Sequence, residues 1–162
     1  MKEPLVARIA PVRSPTDLAA AVNLFTAYAE SLEVDLAYQD FAAEIAGMPG
    51  KYAAPDGELL LARDAEGAAV GCVALRPIGS GCCEMKRLYV VPAGRGSGLG
   101  KRLAEAILAE ARRRGYREIR LDTLPTMSAA IALYTALGFR PIAPYYDTPL
   151  DGTIFMGRSL GE

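Results

Sequence analysis

Val90-Val91-Pro92-Ala93-Gly94-Arg95-Gly96-Ser97-Gly98-Leu99-Gly100-Lys101 runs from the end of a strand-like stretch into a helix-like one. Glycines let backbone N–H groups approach a bound group closely, and a helix start adds the positive end of its dipole. Together they describe an anion or phosphate site. Two phosphate motifs fail here. A nucleotide P-loop needs Gly-Lys followed by Ser or Thr, with a glycine five positions before its second glycine; Arg95 stands at that place and Arg102 follows Lys101. The dinucleotide pattern G-x-G-x-x-G fails because Leu99 or Lys101 falls where the last glycine belongs. What fits is R-x-x-G-x-G, from Arg95 through Gly98 to Gly100. Arg95, Lys101 and Arg102 also crowd the N-terminal end of the helix, where each cation costs about 0.3–1 kcal/mol against the dipole. A bound polyanion would resolve that conflict.

Working outward, Cys82 to Val91 reads as the strand that feeds the loop. Before it, Glu58-Leu59-Leu60-Leu61-Ala62-Arg63 and Ala69-Val70-Gly71-Cys72-Val73-Ala74-Leu75 flank the turn Asp64-Ala65-Glu66-Gly67, which predicts a hairpin. After the loop, Leu99, Leu103, Ile107 and Ala111 recur every four residues, predicting a helix from Gly98 to Arg114 with Gly115 as its stop. A strand over Ile119-Arg120-Leu121-Asp122-Thr123 follows, then a helix from Ser128 to Leu137 ended by Gly138. Two strands, over residues 139–146 and 153–159, close the chain. Near the N-terminus a strand is expected over residues 5–12. Ser14-Pro15-Thr16-Asp17 starts a helix running to Ser31: a hydroxyl cap, proline at the first helical position and an acid in the first turn. A short helix over residues 40–48 ends at Pro49-Gly50. No repeat or linker divides residues 1–162, so one domain is expected, an α/β or α+β sandwich around one sheet.

Composition narrows the chemistry. The 162 residues are long enough to bury an ordinary core without staples. Eighteen Lys+Arg against 19 Asp+Glu leave a net charge of −1, which offers nucleic acid no general attraction. There is no histidine, which excludes Ser-His-Asp and Cys-His nucleophile systems and His-containing zinc sites. Proton chemistry then falls to Glu, Asp, Tyr, Lys, Cys or water. Cys72, Cys82 and Cys83 lack metal or disulfide spacing and read as small buried hydrophobes of a reduced cytosolic protein; no metal is implied. The start Met1-Lys2-Glu3-Pro4-Leu5 lacks the apolar core of a signal peptide, and no apolar run approaches the ~20 residues of a membrane span. A soluble, cytoplasmic protein with no membrane partner is the expectation.

The glycine loop resembles the acyl-coenzyme-A-binding motif of the GNAT superfamily of N-acetyltransferases, Arg/Gln-x-x-Gly-x-Gly/Ala between a strand and a helix. The resemblance continues through Ser128-Ala129-Ala130-Ile131-Ala132-Leu133-Tyr134-Thr135-Ala136-Leu137-Gly138-Phe139, which is similar to the family's later A-I-x-L-Y-x-x-L-G-F signature, so residues 69–140 are covered. It implies a mixed, mostly antiparallel sheet of about seven strands flanked by about four helices. It also implies acetyl-CoA as cosubstrate, its pyrophosphate held by the loop from Arg95 through Gly96, Ser97, Gly98, Leu99 and Gly100 to Lys101. Its pantetheine arm would pair with the backbone of Leu88, Tyr89 and Val90, in a split between that strand and the one at 119–123. One position departs from the pattern: many members carry Asn seven residues before the tyrosine, where this chain has Met127.

Acetyl transfer to an amine needs a group to take the amine's proton and one to help the thiolate leave. Glu84, with Lys86 and Arg87, interrupts an otherwise apolar strand, and such a break in local pattern is typical of functional positions. Its spacing eleven residues before Arg95 resembles that of the strand-borne glutamate base of histone-type members. The alternative is a structural ion pair with Lys86, Arg87 or a neighbouring strand. Tyr134 matches the family's tyrosine, whose phenol assists the departing sulfur; the alternative is an aromatic filling the core. No cysteine has an evident activating base, so direct attack is expected rather than an acetyl-enzyme.

Arg112-Arg113-Arg114 reads as a dipole-complementing helix end. Pro144-Tyr145-Tyr146-Asp147-Thr148-Pro149 and the group Glu30, Glu33, Asp35, Tyr38 and Gln39 are candidate walls for the acceptor. That acceptor is a small-molecule amine, an amino acid or a peptide N-terminus. A homodimer is compatible with the family. A non-catalytic coenzyme-A-binding sensor or interaction module is the alternative function.

Overall fold

The computed structural model describes residues 7–32 and 35–161, with the side chains of Tyr38 and Gln39 left out. Glu33 and the first residues of the expected 5–12 strand lie outside it, as does the Met1–Leu5 start. The first strand, β1, is Ala7–Pro11. Helix α1 (Pro15–Ser31) begins as its sequence predicts, with the Asp17 N–H donating to Ser14 Oγ at 3.1 Å and proline in the first turn. A 3-10 turn at Leu36–Gln39 leads to α2 (Phe41–Ala46). Strands β2 (Glu58–Asp64) and β3 (Ala69–Gly79) form the hairpin, and β4 (Cys82–Val90) pairs with β3. Helix α3 (Leu99–Arg113), β5 (Glu118–Thr123), α4 (Ser128–Ala136), β6 (Arg140–Pro141) and β7 (Ile154–Ser159) complete the chain.

These strands form one seven-stranded sheet in the order β1-β2-β3-β4-β5-β7-β6. Every neighbouring pair is antiparallel except β4 and β5, so the sheet is mixed and mostly antiparallel, as the resemblance implies. On one face α3 lays Leu99, Leu103, Ile107 and Ala111 onto Val73, Cys83, Met85, Ile119 and Leu121, with Tyr134 of α4 in the same apolar cluster. On the other face α1 packs Ala21, Leu24 and Phe25 against Leu59, Leu61, Cys72 and Ala74. Cys72, Cys82 and Cys83 are all buried free thiols, as small core hydrophobes should be.

The expected strand over residues 139–146 is corrected to two residues. Arg140 and Pro141 pair with β7, the Ile142 N–H donates one more bond to Phe155, and the chain then leaves the sheet. Proline at 141, 144 and 149 removes ladder donors, which confines such a segment to a sheet edge. The freed segment folds back over the sheet, and this places two tyrosines at the functional site.

Candidate active site

β4 and β5 run parallel over only three register pairs, Cys82 with Glu118, Cys83 with Ile119 and Glu84 with Arg120, and then part. At the same level β4 bulges. Ala74 still pairs with Lys86, but Cys72 pairs with Tyr89, so Arg87 and Leu88 together oppose Val73. Arg87 takes φ 59°, a left-handed conformation that costs a non-glycine residue about 1–2 kcal/mol. Its side chain is pinned in place. The guanidinium donates to both Glu44 oxygens, at 3.0 and 2.7 Å, and lies 5.3 Å from the Phe41 ring centre and 5.9 Å from that of Tyr28. Burial pushes the Glu44 carboxyl upward, but the hydrogen bond and charge of Arg87 outweigh it and hold the group below the usual range.

Beyond the split lies a groove of about 550 Å³ lined by Leu88, Tyr89, Val90, Arg95, Gly100 and the start of α4 from Thr126 to Ala130. Gly96 and Gly98 hold φ of 81° and 83°, which an L side chain rarely adopts, and a Cβ on either would meet open space. Gly98 caps α3, whose first-turn N–H groups have no intrahelical partners. Ser97 Oγ donates to the Gly94 carbonyl at 2.6 Å and stiffens the loop. Arg95 donates from Nε to the Val90 carbonyl at 3.1 Å, with its guanidinium 5.8 Å from the Tyr89 ring centre. An extended groove ending in a glycine-lined, donor-rich helix start suits a long ligand with a phosphate end.

A smaller cavity of about 80 Å³ adjoins the groove, and Tyr28, Leu88, Met127 and Ala130 line both. Its walls carry Lys86, Arg87, Asp122 and Tyr134. Tyr134 is buried, and burial, then the nearby Tyr28 and Asp122, push its phenol well above the ordinary range, so it remains a proton donor. Asp122 accepts a short hydrogen bond from Tyr146 Oη. Lys86 is 8% exposed, and burial, then Arg87, lower its ammonium, against the opposing pull of Glu84 and Asp122.

The sequence matches the acetyltransferase (GNAT) family over residues 18–139. The chain belongs to that family. It is 41% identical over 163 residues to an uncharacterized N-acetyltransferase of Schizosaccharomyces pombe, covering 100% of both chains. A solved Klebsiella pneumoniae protein named for acyl-CoA N-acyltransferase activity superposes with a TM-score of 0.75 at 32% identity, over 96% of this chain and 99% of that one. A Salmonella typhimurium structure solved with its cofactor acetyl-CoA shares the fold, with a TM-score of 0.71 at 21% identity, over 99% of this chain and 96% of that one.

Within this GNAT chain the sequence-derived residues separate into groups. Leu88, Tyr89, Val90, Arg95 and Gly100 line the groove together, and Met127, at the family's usual Asn position, lines it too. Met127 is held by the hydroxyl of Thr123, which donates to its sulfur at 3.7 Å. Gly96, Ser97, Gly98, Leu99 and Lys101 form the adjoining loop and helix start, with Leu99 turned into the core. Arg102, the third cation of the helix start, donates from its guanidinium to the Ala7 carbonyl at 2.8 Å and so also ties β1 to α3. Tyr134 lines the cavity, whereas Glu84 is not among its walls. Glu84 is 1% exposed, accepts from Arg76 Nε at 2.7 Å and from Tyr145 Oη at 2.5 Å, and sits across from Arg120 on β5. Asp122 and Lys86 were not singled out as site residues from sequence. The available signal was their alternation with Leu121 and Met85 on strands expected to be buried on both faces.

Among the described residues no group of three or more His, Cys, Asp or Glu is placed to hold a metal ion, and no helix is long and apolar enough to cross a membrane. Of the candidate acceptor walls, the Tyr145–Tyr146 segment covers the charged face of β4 and β5, at Glu84, Arg120 and Asp122. Both rings pack on Phe155 with centres 5.2 Å away.

Proposed function

We propose that this GNAT chain transfers the acetyl group of acetyl-CoA to a primary amine by direct attack. The observation that carries the reading is the shared wall. The cavity holding Asp122 and Tyr134 shares Tyr28, Leu88, Met127 and Ala130 with the groove, which reaches Arg95 and Gly100 at the start of α3. The chemistry of the groove fits the cosubstrate. Freed β4 backbone suits an amide-rich arm, and the α3 start with Arg95 suits a pyrophosphate.

The acceptor amine enters as an ammonium and must lose a proton before it can attack. Asp122 is the carboxylate on the cavity wall, and it takes that proton and passes it to solvent. As the C–N bond forms and the C–S bond breaks, Tyr134 gives its proton to the sulfur. The phenol is restored by the second proton leaving the nitrogen. Net, the ammonium loses two protons; one ends on the coenzyme A thiol and one in solvent. Glu84, through Tyr145, holds the tyrosine segment over Asp122. Buried thiols support direct attack: burial, then Cys82 and Glu84, push Cys83 up to about 12, and no cysteine lines the cavity or the groove.

The test is thiol release from acetyl-CoA against an amine panel, with acetyl-CoA binding measured separately. Asp122→Asn should lower kcat/KM about 10²–10⁴-fold, the range for loss of a positioned base, with acetyl-CoA affinity retained. Tyr134→Phe should slow transfer by about tenfold or more with the same retention. A larger loss in Glu84→Gln than in Asp122→Asn would move the proton acceptor to Glu84. Tight acetyl-CoA binding without turnover on any amine would leave a non-catalytic coenzyme-A-binding module.

A further inference from the structure

The cavity carries two wall charges where β4 and β5 part. Lys86 is the last β4 residue in register with β3 before the bulge. Asp122 lies two residues beyond Arg120, the last β5 residue paired with β4. They are therefore the next same-face positions past the final paired couple, one on each side of the opening, and both line the cavity. The other charges around them, buried and half-buried, are matched. Arg87 pairs with Glu44 at 2.7 Å and Arg76 with Glu84 at 2.7 Å. Lys86, which is buried, and Asp122, which is half-buried, complete the balance, so this local set of six charges is neutral as it stands.

An amine that enters as a bare ammonium adds an uncompensated charge to this set, beside the buried Lys86 and Arg87, and uncompensated charge withdrawn from water is disfavoured. An amine that brings its own carboxylate adds none: its ammonium meets Asp122 while its carboxylate meets Lys86. The remaining walls include Leu32, Leu36, Leu124 and Met127, which suit an apolar side chain. We propose that the acceptor is a small α-amino acid with an apolar side chain, selected by Lys86 opposite Asp122 at the mouth of the split. This rests on the acetyltransfer reading above.

The experiment compares L-leucine with 3-methylbutylamine, the same molecule without its carboxylate, in the wild type, Lys86→Met and Lys86→Arg. The wild type should favour leucine by about tenfold or more in kcat/KM, the scale of one charge-assisted contact. Lys86→Met should erase that preference, mainly through the KM for leucine, and Lys86→Arg should keep much of it. Comparing the preference between variants cancels the intrinsic reactivity of each amine, and acetyl-CoA binding checks that each variant is folded. A wild type that prefers 3-methylbutylamine, or that acetylates other amines and neither of these two, overturns the proposal without any variant. So does Lys86→Met losing both activities equally. Absence of transfer to every amine in the wider panel is a different result and removes the acetyltransfer reading with it.

Discussion

The two faces of the sheet use the same strands differently. Toward α3 and α4, β4 and β5 present Cys83, Met85, Ile119 and Leu121 to Leu103, Ile107 and Tyr134. Toward the opposite side, the alternate residues are Glu84, Lys86, Arg120 and Asp122. The first face is held by apolar burial, which is non-directional and shared among many contacts. The second, apolar under α1 over β2 and β3, is held at β4 and β5 by paired charges and tyrosine hydroxyls. Loss of one methylene on the first face is spread over its neighbours, whereas loss of one charge on the second strands its partner.

The largest effect that sharpens this contrast is expected at the ion pair behind the bulge. Arg87→Met leaves Glu44 without its guanidinium and releases the left-handed backbone from its pin; about 3–5 kcal/mol of stability should be lost. Urea unfolding measures it, and a loss under about 1 kcal/mol would show that the charged face tolerates the loss of one partner. On that apolar face Leu103→Ala should cost about 2–5 kcal/mol, with kcat of the folded fraction unchanged. A changed kcat would mean that packing under α3 sets the position of Tyr134 in the same cluster. Gly98→Ala should cost about 1–2 kcal/mol, because its φ of 83° disfavours a Cβ, and should weaken acetyl-CoA binding in titration calorimetry.

The smallest effect is a pH dependence away from the site. Burial pushes the Glu58 carboxyl up, but the Arg13 and Leu59 hydrogen bonds and the charges of Arg13 and Arg114 outweigh it and hold the group below its usual range. A depressed folded value contributes stability that is present above the unfolded pKa of ~4.3 and is lost as pH falls through the folded value. The difference in Tm between the wild type and Glu58→Gln should therefore shrink as pH falls from ~5 to ~3. A difference that stays constant would assign Glu58 a purely steric role.

The glycine loop, the four-residue repeat of α3, the hairpin and the Ser14 cap were legible because each is a local pattern. The signals that fix them lie within one turn or one strand. Tyr145 meets Glu84 across 61 residues and Tyr146 meets Asp122 across 24, and no local pattern reports such pairings. The sequence does show the two tyrosines between prolines, but not that the segment leaves the sheet and folds back. The partner of Arg102 was hidden for a related reason. The dipole argument counts cations near a helix start, whereas the Ala7 carbonyl that claims this one lies 95 residues away in sequence. Asp122 and Lys86 were readable only as charged residues on buried strands. Their place at the split follows from a ladder that stops after three pairs.

That short ladder also divides responsibility within the molecule. Residues that line the groove belong to β4, the head of α3 and the start of α4, whereas Asp122 and the tyrosines above it belong to β5 and residues 142–153. On the proposed acetyltransfer, changes in the second group would alter which amine is chosen while the groove for the cosubstrate is inherited intact. A lineage built on this arrangement can diversify its acceptors by editing one strand end and one loop.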